Sequence, residues 1–316
     1  MRNLRTPYIL FAITIVVSFF SCVPQKKVSS HQRELSALDS LLAQHQKNLN
    51  ELDKKRQKKQ TDNEMDDTVS SRIKKFIGMT NAEIEKLVAQ NSVLIGDIEV
   101  NKNDWNRLQN ALTLSQKTSK LINDKVNLLN DLINRNTVVK LEQDVLFEPG
   151  RYTVSSSVAA AISNFFEPAS KEIDLFVKKY PDFPLSLVIT AKGYADATHI
   201  SEGSSLYKDL KDDLKLSGKS EITNDDLNQA LSSKRAKSVI ELFQTFTKGR
   251  SSDGTNIKNI IFLYEGKGES LPNPKLNDYK IDDPRRRVVL LFWGCFLISF
   301  IDSLPFSTGR SFHLHP

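Results

Sequence analysis

Two residues of opposite charge in the C-terminal half of the chain could take part in ligand binding, Asp196 and Arg235. Asp196 ends the stretch Gly193-Tyr194-Ala195-Asp196, and Arg235 lies in a stretch with a helical pattern. A carboxylate accepts hydrogen bonds from an ammonium group, and a guanidinium grips a carboxylate with two parallel N–H groups. A zwitterionic group therefore needs an acid and a guanidinium for its recognition. Taken singly, each is more often a turn brace or a surface ion pair worth under about 1 kcal/mol.

The chain has no Ser/His/Asp, Cys/His or zinc-binding pattern in its sequence. It holds five His and two Cys, and these form neither a CxxC pair nor a Cys/His cluster. A catalytic nucleophile needs a base beside it, and a zinc site needs clustered thiolate or imidazole ligands. We therefore predict a protein that is not an enzyme and that has no cofactor or metal.

From about residue 138 the apolar pattern predicts alternating strands and helices. Strands are expected near residues 138–147, 185–191, 260–264 and 287–293, and helices near 154–179 and 225–246. The order strand–helix–strand–helix–strand–strand predicts an α+β fold, in which helices pack on a sheet. Asp196 then follows the second strand, and Arg235 lies on the second helix.

Separated motifs in residues 138–293 resemble the OmpA-like peptidoglycan-binding domain. In chain order they are Phe147-x-x-Gly150, Gly193-Tyr194-Ala195-Asp196, Asn228-x-x-Leu231-Ser232-x-x-Arg235-Ala236, and the closing pair Gly266-Lys267-Gly268-Glu269-Ser270-x-Pro272 and Arg286-Arg287-Val288. The resemblance implies a βαβαββ-type mixed sheet packed with helices. It also implies non-covalent binding of peptidoglycan through the diaminopimelate of the stem peptide.

The resemblance assigns roles to particular positions. It implies that Asp196 and Arg235 clamp diaminopimelate and that Arg287 supports the clamp. The residues that would line the groove are Asn228, Leu231 and Ser232.

The chain departs from the family pattern in three places. Tyr194-Ala195 stands where the family has His-Thr, and Arg285 stands where the family commonly has Asn. The segment 197–227 is a charged insertion longer than the family norm, and it could form a lid or change selectivity. These departures bear on the exact ligand rather than on the fold.

The first residues have the pattern of an export signal. Arg2 and Arg5 precede an apolar run over residues 8–20, which is shorter than the roughly 20 residues of a spanning helix. The sequence Phe19-Phe20-Ser21-Cys22 resembles a bacterial lipobox, which implies cleavage before Cys22 and lipidation of that residue. Val23 rather than Asp after the Cys favours the outer membrane, facing the periplasm. An uncleaved signal anchor with an incidental Cys is the alternative.

Residues 31–137 have a polar, helical pattern after a linker at 22–30. The residues with alternating spacing of three and four are Leu35, Leu38, Leu42, His45, Leu49 and Leu52, which predicts a seam typical of a coiled coil. Thr80-x-x-Glu83 resembles a capping box and predicts that a second helix begins at Thr80. The region is interpreted as a spacer, with a homo-oligomer or a partner-binding helix as alternatives.

The charge of the chain does not indicate a nucleic acid partner. Lys and Arg total 44 against 38 Asp and Glu, and the basic run at 54–59 has no interleaved aromatics, so we predict a solvated helix face and no nucleic acid partner.

The apolar tail at 294–316 could be a docked strand extension, a partner patch or a degenerate end.

The sequence as a whole predicts an outer-membrane lipoprotein with residues 1–21 as its signal peptide. Its domain at 138–293 would bind peptidoglycan and tether the membrane to the cell wall. The alternative is a structural subunit of an envelope assembly whose helical region binds protein partners.

Overall fold

The computed structural model describes residues 25–96, 102–135, 137–248 and 257–297. The predicted signal peptide and the predicted lipidation site Cys22 lie outside these residues. The described part of the chain contains seven α-helices and a four-stranded mixed sheet, so the α+β class is confirmed.

The chain divides into two compact units whose boundary differs from the predicted one. One unit comprises Met1–Asp53 and Phe76–Asn130, and the other comprises Lys54–Lys75 and Asp131–Pro316. The predicted spacer at 31–137 therefore contributes residues 54–75 and 131–137 to the unit that holds the sheet.

Three long helices make up the N-terminal part of the chain: α1 (Gln25–Thr61), α2 (Asp67–Gly96) and α3 (Lys102–Asn134). Helix α1 already includes residues 25–30, which were predicted to be a linker. The prediction of a helix start at Thr80 is wrong, because α2 begins at Asp67 and runs through that position. Asp66 caps α2 by accepting hydrogen bonds from the backbone N–H groups of Thr68 and Val69, at 2.9 and 3.2 Å.

The first unit buries the predicted leucine seam within the chain itself. Leu35, Leu42 and Leu49 are fully buried, and Leu35 packs in a cluster with Leu108 and Leu112 of α3. Polar contacts join α2 to both of the other helices. The side chain of Asn91 in α2 donates to Asp39 at 2.7 Å, and Ser115 in α3 donates to Asn91 at 2.6 Å. Since neighbouring helices of the same chain cover the seam, its burial needs no second chain.

The sheet of the second unit has the strand order β1-β4-β2-β3. Its strands are β1 (Val138–Glu142), β2 (Leu185–Gly193), β3 (Ile257–Gly266) and β4 (Val288–Leu297). Strand β4 pairs antiparallel with β1 and β2, and β2 pairs parallel with β3. Strand β4 continues past the predicted end at 293, with Cys295 opposite Leu187. The start of the predicted tail is thus part of the sheet, and residues from 298 onward lie outside the described part.

Helices of the second unit pack against this sheet. Those that follow β1 in the chain are the single turn α4 (Gln143–Leu146), α5 (Ser156–Lys179), α6 (Ser205–Leu216), α7 (Asn224–Lys248) and a 3₁₀ turn at Pro284–Arg286. The first predicted strand ends earlier than expected, because α4 follows β1 directly. Aromatic contacts fill the core, with Phe166 against Phe243 at 4.8 Å and Phe176 against Trp293 at 6.3 Å between ring centroids.

Helix α7 lies unusually close to the ends of β2 and β3. A Cβ atom on Gly193 would lie 2.0 Å from the carbonyl oxygen of Ser232, and one on Gly266 would lie 2.5 Å from that of Gln229. Only glycine fits at such distances, which explains why both strands end in this residue. The contact fixes the position of α7 relative to the strand that leads to Asp196.

Candidate ligand-binding site

Asp196 lies just beyond the end of β2, in a site with strong hydrogen-bond donors. Only 7% of the residue is exposed. Its Oδ2 accepts from Nη1 of Arg287 at 2.8 Å, and its Oδ1 accepts from the hydroxyl of Thr198 at 2.6 Å. Burial by itself raises the pKa of Asp196, but the hydrogen bonds from Thr198 and Arg287 outweigh it and hold the pKa below its usual value. Asp196 is therefore ionised at neutral pH.

Arg235 lies on α7 and is 8% exposed. Its Nε donates to the backbone oxygen of Arg151 at 3.1 Å, and its guanidinium lies 5.3 Å from the centre of the Phe147 ring. Burial, together with repulsion from Arg287, lowers the pKa of Arg235 to about 10. The attraction of Asp144 and Asp196 opposes this lowering. Arg235 stays charged at neutral pH.

Arg287 connects two carboxylates. Beside Asp196 it binds Asp144 of α4, through Nε to Oδ1 at 2.9 Å and Nη2 to Oδ2 at 2.7 Å. These contacts raise the pKa of the guanidinium. Sequence reasoning missed Asp144, because it belongs to no motif and only the α4 turn brings it to Arg287. Arg287 thus contacts Asp144 and Asp196 directly, and Arg235 interacts electrostatically with all three, so these four residues form one charge cluster.

The predicted groove residues have different surroundings. The side-chain amide of Asn228 donates to Oε1 of Glu269 at 2.8 Å and to the backbone oxygen of Thr198 at 3.2 Å. It therefore ties the loop after β2 to the loop after β3. The hydroxyl of Ser232 accepts from the backbone N–H of Gly268 at 3.0 Å, which braces the same loop.

Leu231 packs against the insertion between β2 and α7. The apolar cluster there contains Ile200, Leu206, Leu210, Leu227 and Leu231. Helix α6 supplies two of these residues, so the insertion is a folded element with its own small core. The role of Leu231 as a groove residue stays a prediction.

Tyr194 is bound by a distant part of the chain. The residue is buried, and its hydroxyl accepts from the side-chain amide of Asn63 at 2.6 Å. Burial raises the pKa of Tyr194, so it is a neutral hydroxyl at neutral pH. The same amide donates to the backbone oxygen of Pro272 at 2.6 Å. The turn between α1 and α2 thus holds Tyr194 and the loop after β3.

The charge cluster has the chemistry needed for a zwitterionic ligand. Asp196 offers a carboxylate to an ammonium group, and Arg235 and Arg287 offer guanidiniums to a carboxylate. Two acids face two bases, so the cluster is electrically balanced without a ligand.

Comparison of the chain with protein-family models, curated proteins and solved structures returned no significant match. Among the described residues, no helix combines the length and the apolar character needed to cross a membrane.

Proposed function

We propose that this chain is an outer-membrane lipoprotein that binds peptidoglycan non-covalently through diaminopimelate. Lipidated Cys22 would anchor it in the membrane facing the periplasm, and the OmpA-like domain at 138–293 would hold the cell wall. Helices α1, α2 and α3 would lie between the anchor and the domain in the sequence. The protein would tether the outer membrane to the wall without catalysing a reaction.

The observation that carries this proposal is the meeting of Asp196, Arg235 and Arg287 in one cluster. These residues lie far apart in the sequence, on the β2 exit, on α7 and beside the start of β4. The side-chain terminus of diaminopimelate carries an ammonium beside a carboxylate, which requires an acceptor and a planar donor close together. Asp196 supplies the first, and the guanidiniums supply the second.

Retention on purified sacculi tests the proposal. We expect Asp196→Asn and Arg235→Lys to lose most of the retained protein, because the first removes the charge that attracts the ammonium and the second removes the donor fork. Lys237→Ala is the matched control, since Lys237 is an exposed cation on the same helix as Arg235. Circular dichroism melting should show that the variants remain folded.

Two outcomes would contradict the proposal. Wild-type protein that does not sediment with sacculi has no such function, and folded site variants that bind like Lys237→Ala place the contact elsewhere. The anchoring part is tested in the same strains. Cys22→Ala should leave the outer-membrane fraction, and a variant that stays there would refute lipid attachment at this residue.

A further inference from the structure

One short segment, residues 144–151, holds both guanidiniums of the site. Asp144 binds Arg287 with two parallel contacts of 2.9 and 2.7 Å, which is the geometry by which guanidiniums recognise carboxylates. The backbone oxygen of Arg151 and the ring of Phe147 contact Arg235. The donor fork of Arg287 is therefore already filled by a carboxylate of the chain itself.

The two acids of the cluster differ in their exposure to solvent. The side chain of Asp144 is 57% exposed, whereas that of Asp196 is 9% exposed and also bound by Thr198. A half-exposed ion pair contributes about 0.2–1 kcal/mol, so releasing Asp144 to water costs little. Asp144 also lies on the single turn α4, which a ligand can shift without breaking the pairing of β1 with β4.

Geometry gives a reason for Asp144 to leave. Asp144 occupies the Nε and Nη2 groups of Arg287, so a ligand carboxylate can form the same two parallel contacts only when Asp144 has left them. The exchange returns the same kind of group to the same fork, so the guanidinium stays paired.

We propose that Asp144 occupies the place of a ligand carboxylate on Arg287 and is displaced when an acidic stem peptide binds. This inference rests on the proposed function and extends it. Arg287 becomes a direct receptor for a carboxylate rather than only a support for Asp196. The ligand's ammonium then binds Asp196, and its carboxylate binds the guanidiniums. Asp144 lowers the affinity of the site for this ligand, because it competes for Arg287.

Calorimetric titration with a soluble stem tripeptide that ends in diaminopimelate tests the displacement. Asp144→Asn keeps the shape of the side chain but removes its charge, so we expect binding up to about fivefold tighter than wild type. The gain should vanish when Arg287→Lys is combined with Asp144→Asn, because Lys lacks the fork. Asp278→Asn is the control, since Asp278 is an exposed partner of Arg285 outside the cluster.

The outcomes separate this inference from the proposed function. If wild type binds the peptide and Asp144→Asn binds equally or more weakly, the displacement is refuted while the proposed function stands. A gain that persists in the Arg287→Lys background also refutes it. If Asp144→Asn binds the peptide and the wild type does not, the result supports the displacement, because the wild-type Asp144 then blocks the site. If no folded protein binds, both proposals fail.

Discussion

At the scale of single residues, Lys192 places a charged group in the interior of the sheet unit. It is 2% exposed on β2, and its ammonium lies 3.1 Å from Asp66, 3.0 Å from Asp67 and 5.3 Å from the centre of the Phe292 ring. Burial alone lowers the pKa of Lys192, but the two carboxylates outweigh it and raise the pKa. The ion cluster thus fastens the α1–α2 turn to the sheet beside Tyr194.

We expect Lys192→Met to lower the free energy of unfolding by about 3 kcal/mol. The substitution leaves the buried carboxylate of Asp66 without its ammonium partner, and breaking a buried pair is costly for this reason. Lys140→Met is the matched control on β1, since Lys140 is half-exposed and 3.8 Å from Glu142, and its loss should cost less than about 1 kcal/mol. Urea unfolding measures both. Equal small losses would show that the cluster does not stabilise the unit.

At the scale of elements, the approach of α7 to β2 depends on the absence of a side chain at Gly193. We expect Gly193→Ala to destabilise the protein by about 1–3 kcal/mol, because the new methyl group would overlap the Ser232 carbonyl. The helix would have to move, and Arg235 with it. Gly203→Ala is the control, since nothing lies within 4 Å of a Cβ there. Thermal melting gives the result, and matching melting temperatures would refute the close contact.

Elements with strong periodic patterns were predictable, and those set by distant contacts were not. The apolar run of β2 and the pattern of α7 predicted their positions to within a few residues. The capping-box pattern at Thr80 was misleading, because Thr80 lies in the interior of α2 rather than at its start. Its side chain is buried there, and its hydroxyl donates a hydrogen bond to the backbone oxygen of Phe76 in the same helix. The short turn α4 was missed because the apolar residues around Val145 and Leu146 favour a strand by composition.

The candidate site was predictable only in part. Asp196, Arg235 and Arg287 were singled out because their motifs resemble a known family, and the structure brings them together. Asp144 and Asn63 could not be found, because their partners are distant in the chain and neither belongs to a motif. A lysine close to the end of an apolar strand was a signal for the Lys192 cluster, since a buried lysine needs a charged partner.

At the scale of the whole molecule, several carboxylates of the sheet unit have pKa values held low by basic partners. Burial raises the pKa of Asp67 and Asp131, but hydrogen bonds from Lys192 to the first and from Lys179 to the second bring the net shift below the usual value. Asp196 behaves in the same way. A depressed pKa in the folded state means that the unfolded chain binds protons first as pH falls.

We therefore expect the sheet unit to keep its full stability above about pH 4, the usual pKa of an unfolded Asp, and to lose it progressively below. Denaturant unfolding at pH 7, 5 and 3 measures this loss. The growing positive charge of the chain also destabilises it in acid, so a variant is needed to separate the two causes. Lys192→Met removes the partner that lowers the pKa of Asp67, and its stability should fall less between pH 5 and 3 than that of wild type. Parallel pH profiles of the two proteins would show that general charge repulsion, rather than the ion pairs, governs acid unfolding.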